Sequence, residues 1–350
     1  MSKSTGHILV RGPNWIGDQI LSFPYFHALR HMFPHSKITV ACVPWVEDIQ
    51  FRNLVDQVEV VQPARSSSLL DKFKELDQES LRFKEFGPFD LGFALPNSLS
   101  SAWFLKRAGA LERRGYNTEW RGVLLTQKVQ WDEDPKRHRS QAYLDLLPGV
   151  SGTQLDEKSF WQAASKDAVP QSCWPNAQPL DPPQGPYFVL APGATAESRR
   201  WMLDRFAELA KTIQESTGWQ GVVVGGPKEA PLADQLNTEF NCGLKDFTSK
   251  GKVCDLWKVF AQSQVTITNE SGLAHVASFC GAKVQIICGA ADPRRTQPLG
   301  PGPVQVLYNP VNCWPCEKNT CAQKAGKILQ CLRGIEPDAV WKDMKSGFEL

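Results

Sequence analysis

The 350-residue chain lacks any apolar run near the roughly 18 residues that a membrane-spanning helix needs. It also lacks an excess of either charge. Lys and Arg number 39 against 37 Asp and Glu, a formal net charge of +2, so there is no bulk electrostatic signature of a nucleic-acid binder. No G-x-G-x-x-G follows the first strand of either half, which argues against a dehydrogenase, and no lysine stands where a Walker loop requires one. What is present is ordinary globular composition, 42% hydrophobic and 22% charged, at a length that suggests two domains. The polar start, Met1-Ser-Lys-Ser-Thr-Gly-His7, runs directly into a strand. The expectation is a soluble, unexported chain whose ten cysteines are thiols or metal ligands rather than disulfides.

Short β-branched runs at 8–10, 38–40, 58–61 and 91–94 read as strands. Helical periodicity lies between and beyond them, over 18–33, 45–54, 69–84 and 99–109. Residues 110–137 are charged and irregular, and one more helix is expected over 138–148. Five prolines in the thirteen positions 174–186 can continue neither a helix nor a central strand and mark a linker. The alternation then restarts, with strands at 187–191, 221–225, 265–268 and 283–288 and helices at 202–216, 228–239, 253–262 and 271–280. The expected class is α/β: two doubly wound, parallel-sheet domains facing each other across a cleft, with ligands at the carboxyl ends of their strands.

Four segments carry chemistry. The first loop, Gly12-Pro-Asn-Trp-Ile-Gly-Asp18, has Asp18 where a phosphate loop would place lysine, so it is unsuited to a nucleotide. Asp18 at a helix start suits a general base facing a hydroxyl, or equally a plain helix cap. The second loop, Ala191 to Trp201, combines small residues with Thr195, Ser198, Arg199 and Arg200, either an anion cradle at a helix start or a solvated turn. In the third, Thr268 to His275, Glu270 could accept from sugar hydroxyls and the N–H groups of Ser271 and Gly272 are open. The bland alternative makes Glu270 and Ser271 caps and His275 a core residue. In the fourth, Cys313, Cys316, Cys321 and Cys331 form either a structural zinc site or a thiol cluster, on spacings unlike a standard ribbon or finger. Nine basic against five acidic residues in 105–140 give that stretch +4, consistent with an anionic acceptor, an anionic membrane surface or a solvated loop.

Taken in order over residues 7 to about 335, these motifs, with Leu95-Pro-Asn-Ser98, resemble the ADP-heptose:lipopolysaccharide heptosyltransferases of glycosyltransferase family 9, most closely the heptosyltransferase II branch. The resemblance implies a GT-B fold and an inverting, metal-independent transfer of heptose from ADP-L-glycero-β-D-manno-heptose to the inner-core heptose/Kdo region of lipopolysaccharide. It implies an acceptor-binding domain over 1–173, the linker at 174–186, an ADP-sugar-binding domain over 187–335, and a closing helix over 336–350 free to pack back on the first domain. Asp18 would be the catalytic base. Thr195, Ser198, Arg199, Arg200, Lys228, Glu270, Ser271, Gly272 and His275 would hold the donor, and Asn14, Asn97, Arg114 and Arg121 the acceptor. No cofactor is required beyond the donor substrate, no nucleic acid is a partner, and the enzyme would work peripherally at the inner face of the cytoplasmic membrane. Three positions depart from the family pattern: Arg199 replaces lysine, Glu270 replaces aspartate and Met202 replaces proline. The alternatives are a GT-B enzyme using another nucleotide-sugar, such as an epimerase, or a nucleotide-sugar-binding homologue that has lost catalysis.

Overall fold

A computed structural model describes residues 6–66, 68–131, 137–149, 168–324 and 326–350. The polar start at 1–5, and Asp132, Glu133, Asp134 and Lys136 of the basic stretch, lie outside the described residues. The chain divides into two compact units, 1–176 and 177–350, and the division falls inside the proline-rich segment. Residues beyond it are tied to the second unit: the Gln178 and Leu180 N–H groups donate to Asp255, and Asp181 pairs with Lys258 at 2.9 Å.

In the first unit, six strands form a wholly parallel sheet in the order β3-β2-β1-β4-β5-β6. They are β1 (His7–Arg11), β2 (Lys37–Cys42), β3 (Gln57–Val60), β4 (Leu91–Ala94), β5 (Glu112–Tyr116) and β6 (Gln127–Val129). A central parallel strand is covered on both faces, so it reads as a continuous apolar run, and Ile8, Leu9 and Val10 are fully buried. Tyr25, Phe26, Phe51 and Phe93 pack against one another edge to face. The helical run expected over 18–33 is two helices, Ile16–Leu21 and Phe23–Met32. Pro24 has no N–H for the carbonyl one turn back, and the helix breaks there. The helix expected at 45–54 is a 3₁₀ turn, Pro44–Ile49.

The second sheet has the same winding: β7 (Tyr187–Ala191), β8 (Gln220–Val223), β9 (Lys245–Asp246), β10 (Val265–Asn269), β11 (Val284–Cys288) and β12 (Val304–Tyr308), in the order β12-β11-β10-β7-β8-β9. Its helix Leu203–Thr217 buries Phe206, Leu209, Ala210 and Ile213 in a core shared with Val340, Trp341, Met344 and Phe348 of the closing helix Pro337–Phe348. In each sheet the winding reverses between two adjacent strands, β1 and β4 in the first and β7 and β10 in the second. The loops leaving the carboxyl ends of such a strand pair diverge, which opens a crevice for a ligand. All four segments singled out above start from, or are tied to, those points.

Candidate active site

At the first reversal point the loop after β1 is held from below. The buried Arg11 guanidinium donates to the Gly12 carbonyl at 2.6 Å and to Asn14 Oδ1 at 2.7 Å, while Trp45 Nε1 donates to the Asn14 carbonyl at 2.6 Å. Burial brings the Arg11 pKa down to about 10, which leaves it charged at neutral pH. Asn14 therefore serves first to fix the loop.

Trp15 is the N-cap of the helix Ile16–Leu21, so Asp18, three residues further on, does not cap it. Its carboxylate instead meets a second helix, Arg139–Leu144. Tyr143 Oη donates to Asp18 Oδ1 at 3.0 Å, and Arg139 Nε lies 3.6 Å from the same oxygen. Arg139 and Tyr143 are four residues apart and so share one helix face. Ser140 Oγ donates to the Leu21 carbonyl at 2.7 Å and ties the two helices together. Burial, followed by the Asp18 charge, pushes the Tyr143 phenol well above its ordinary pKa, so it remains a proton donor. The Asp18 side chain keeps 28% of its surface exposed. It is an accessible carboxylate, not a packed one.

The loop after β4 carries Asn97. Arg121, expected to contact an acceptor, is fully buried beneath it. It donates to the Tyr116 carbonyl at 2.6 Å, to the carbonyls of Pro96 and Ser98, to Ser101 Oγ at 3.1 Å and to Asn97 Oδ1 at 3.3 Å. That corrects the expectation: with no exposed surface and its donors engaged, Arg121 is scaffolding for the loop. Half-buried Arg114 is engaged likewise, donating to the carbonyls of Leu146 and Leu147 and to Gln127 Oε1.

The second reversal point brings two of the expected segments together. Arg199, in the 3₁₀ turn after β7, faces Glu270, directly after β10: Nη1 donates to Oε1 at 3.1 Å, and Nε lies 3.1 Å from Oε2 as an ion pair. The Glu270 side chain is 8% exposed and that of Arg199 32%. Asn269 joins the same two loops, accepting from the Trp201 N–H at 2.9 Å and donating to the Pro192 carbonyl at 2.6 Å. Ser271 is the N-cap of the helix Gly272–Phe279, and its side chain makes no capping bond. The first N–H groups of that helix have no intrahelical acceptor and suit an anion. Thr195 is exposed on the same loop, and Arg200 folds back onto it through the Ala194 and Thr195 carbonyls. Lys228 is exposed in the turn after β8.

Two of the expected donor residues are buried. His275 is 5% exposed and belongs to the buried face of its helix. Ser198 is 2% exposed, and its N–H and hydroxyl both go to a cysteine-bearing segment, to the carbonyls of Asn319 and Lys318. Glu317, beside Cys316, is anchored in turn, through its N–H on the Ala290 carbonyl and its carboxylate on Arg295 at 2.8 and 2.9 Å. The segment 317–319 is thus a strap tied to the loop after β7. Cys313, Cys316, Cys321 and Cys331, on either side of it, are free thiols, and among the described residues no group of three or more His, Cys, Asp or Glu is placed to hold a metal ion.

Neither Tyr143 nor Arg139 belongs to a motif of the sequence. Their signal was an arginine and a tyrosine four apart in a predicted helix, a pattern that gains meaning only once the fold brings Asp18 opposite. Glu229 belongs to no motif either. Its carboxylate accepts from the Gly226 N–H at 2.9 Å, and a Cβ at Gly193 or Gly225 would collide with its side chain, which explains the small residues in both loops.

Residues 79–326 match the family model of glycosyltransferase family 9 (heptosyltransferase). The chain belongs to this family. It is 27% identical over 301 residues to lipopolysaccharide heptosyltransferase 2 of Escherichia coli strain K12, covering 83% of this chain and 85% of that protein. The solved structure of E. coli ADP-heptose lps heptosyltransferase II superposes with a TM-score of 0.73 at 23% identity, over 98% of each chain. E. coli heptosyltransferase WaaC, solved with ADP-2-deoxy-2-fluoro heptose, does so at 0.71 and 16%, over 97% of this chain and 99% of that one. At such identities the likeness shows the fold, and the fold is GT-B: two parallel doubly wound sheets in one chain. This member of the family is a glycosyltransferase. Among the described residues no helix is long and apolar enough to cross a membrane.

Proposed function

We propose that this glycosyltransferase moves heptose from ADP-L-glycero-β-D-manno-heptose to the inner-core heptose/Kdo region of lipopolysaccharide, working peripherally at the inner face of the cytoplasmic membrane. The observation that carries the reading is the match to lipopolysaccharide heptosyltransferase 2 over more than four-fifths of both chains. The site chemistry supports it. The donor belongs with the second unit, where Arg199 and Lys228, the Thr195 hydroxyl and the open N–H groups at Ser271 and Gly272 suit a diphosphate. Glu270, oriented by Arg199, suits sugar hydroxyls. The acceptor belongs with the first unit, where Asp18 offers the one accessible carboxylate of its loop.

In the proposed step Asp18 takes the proton of the acceptor hydroxyl. The oxygen forms a bond to the anomeric carbon, and the bond from that carbon to the diphosphate breaks with its electron pair leaving on ADP. Attack opposite the leaving group inverts the centre with a single base, and no second carboxylate is needed. Donors fixed on the diphosphate beforehand stabilise it most as its charge develops.

Two measurements test this. Asp18→Asn should lower transfer by about 10²–10⁴-fold, the range for a general base, while leaving ADP-sugar binding intact. Wild-type turnover in that variant removes Asp18 from the mechanism. In calorimetry, ADP-heptose should outbind UDP- and GDP-sugars and then be consumed only with heptose-deficient lipopolysaccharide present. Preference for a UDP-sugar overturns the donor, and turnover without acceptor favours an epimerase.

A further inference from the structure

We propose that Tyr143 and Arg139 are positioning residues for the reaction: together they grip one oxygen of the Asp18 carboxylate so that the other, Oδ2, receives the proton of the acceptor hydroxyl. The inference rests on Asp18 being the base. It adds what sets the direction in which that base works.

Three observations carry it. Both contacts to the carboxylate fall on Oδ1, from Tyr143 Oη at 3.0 Å and Arg139 Nε at 3.6 Å, and among the described residues Oδ2 takes no hydrogen bond. The two partners lie on one face of a short helix that is itself fixed. His138 caps it, accepting from the Ser140 N–H at 3.2 Å, and Ser140 Oγ binds the helix that carries Asp18. Finally, the contact spans 125 residues of sequence, so it is built by the fold rather than by local turn geometry. An aspartate alone on a six-residue helix would be free to rotate about χ1 and χ2, exchanging its oxygens. With Oδ1 engaged by a buried phenol and a cation, rotation is stopped and Oδ2 keeps its outward lone pairs. A base displaced by about 1 Å can lose a hundredfold in rate, so the grip acts on turnover more than on binding.

The test is a double-mutant cycle on the full chain, read as kcat, both KM values and thermal midpoint. Tyr143→Phe keeps the ring and removes only the hydroxyl. It should lower kcat roughly ten- to a hundredfold with both KM values within about twofold and an unchanged midpoint. Arg139→Gln, at a partly exposed position, should do the same to a smaller extent, and Arg139→Lys should recover part of the loss. In an Asp18→Asn background Tyr143→Phe should cost nothing further, because the tyrosine acts only through that carboxylate. Equal losses in both backgrounds, or a loss that follows the thermal midpoint, overturn the proposal by making Tyr143 a plain structural contact. Wild-type kcat in Tyr143→Phe beside an inactive Asp18→Asn overturns the grip alone. Full activity in Asp18→Asn overturns the assignment of the base, and the grip with it.

Discussion

At the carboxyl edge of the first sheet the arginines lie underneath the loops. Arg11 and Arg121 are buried, their donors are spent on carbonyls and asparagine side chains, and burial brings both down to a pKa of about 10. At the same edge of the second sheet Arg199 lies between two loops, locked to one carboxylate with a third of its side chain in solvent. The winding is identical and the use of charge is opposite. A guanidinium beneath a loop sets where the backbone goes and never reaches a ligand. One that bridges two loops fixes both and keeps charge available for an anion. Counting basic residues along the chain therefore misjudges an anion site, as at Arg121, whose stretch has a net positive charge while its own guanidinium is buried.

The contrast breaks most readily at Arg121. Arg121→Met removes the donors for Pro96, Ser98 and Tyr116 while leaving those carbonyls in place. Orphaned buried acceptors cost about 1–3 kcal/mol each, so a loss of roughly 3–5 kcal/mol is expected after relaxation. Scanning calorimetry should show a lower midpoint, with ADP still bound by the second unit below it. An unchanged midpoint with a raised acceptor KM would return Arg121 to the role of a ligand.

A smaller effect, on binding rather than folding, is expected at Arg199. Arg199→Gln leaves the nearly buried Glu270 carboxylate without its cation, and ADP affinity should fall roughly ten- to a hundredfold by titration calorimetry. Arg199→Lys restores charge without the planar guanidinium and should recover only part of that loss. Adding Glu270→Gln to Arg199→Gln should recover some of it, since the uncompensated carboxylate is gone. Unaltered ADP affinity in all three variants would take the pair out of the donor site.

Most of the inner strands and both wound sheets were legible because a strand covered on two faces must be apolar throughout, as Ile8-Leu9-Val10 and Tyr187 to Ala191 are. β5, β6, β9 and β12 were not. β5 reads Glu-Arg-Arg-Gly-Tyr, and its arginines cover the sheet with their stems while their heads reach the carbonyls of Leu124 and Leu146. β9 has two residues and β12 lies on the edge, where polar residues are tolerated and propensity says little. The site was legible by residue type but not by role. Ser198 and His275 have the right chemistry, yet one anchors the strap and the other is packed. Burial decides such roles, and burial is a property of the whole fold. Tyr143 shows the converse, an unremarked residue given a partner 125 positions away.

The finest test of the comparison uses one buried thiol from each sheet, at the last position of its strand: Cys42 in β2 and Cys288 in β11. Burial pushes the Cys42 thiol up to about 12 and Cys288 further in the same direction, from an ordinary value near 9. A folded-state pKa raised above the unfolded one means the native chain holds its proton longer. Stability from this source is therefore complete below about pH 9 and is lost as pH rises toward the folded value. By pH 10 each thiol should have cost roughly 1 kcal/mol, since one pH unit past the unfolded pKa is worth about 1.4 kcal/mol. Urea unfolding at pH 8 and pH 10 should show this loss, with Cys42→Ala flattening it for the first unit and Cys288→Ala for the second. Arg11 lies beside Cys42 and favours its thiolate, opposing burial, whereas Glu270 acts with burial on Cys288. The second unit should accordingly lose at least as much as the first, and the reverse order would mean that neither charge acts on its thiol as the geometry implies.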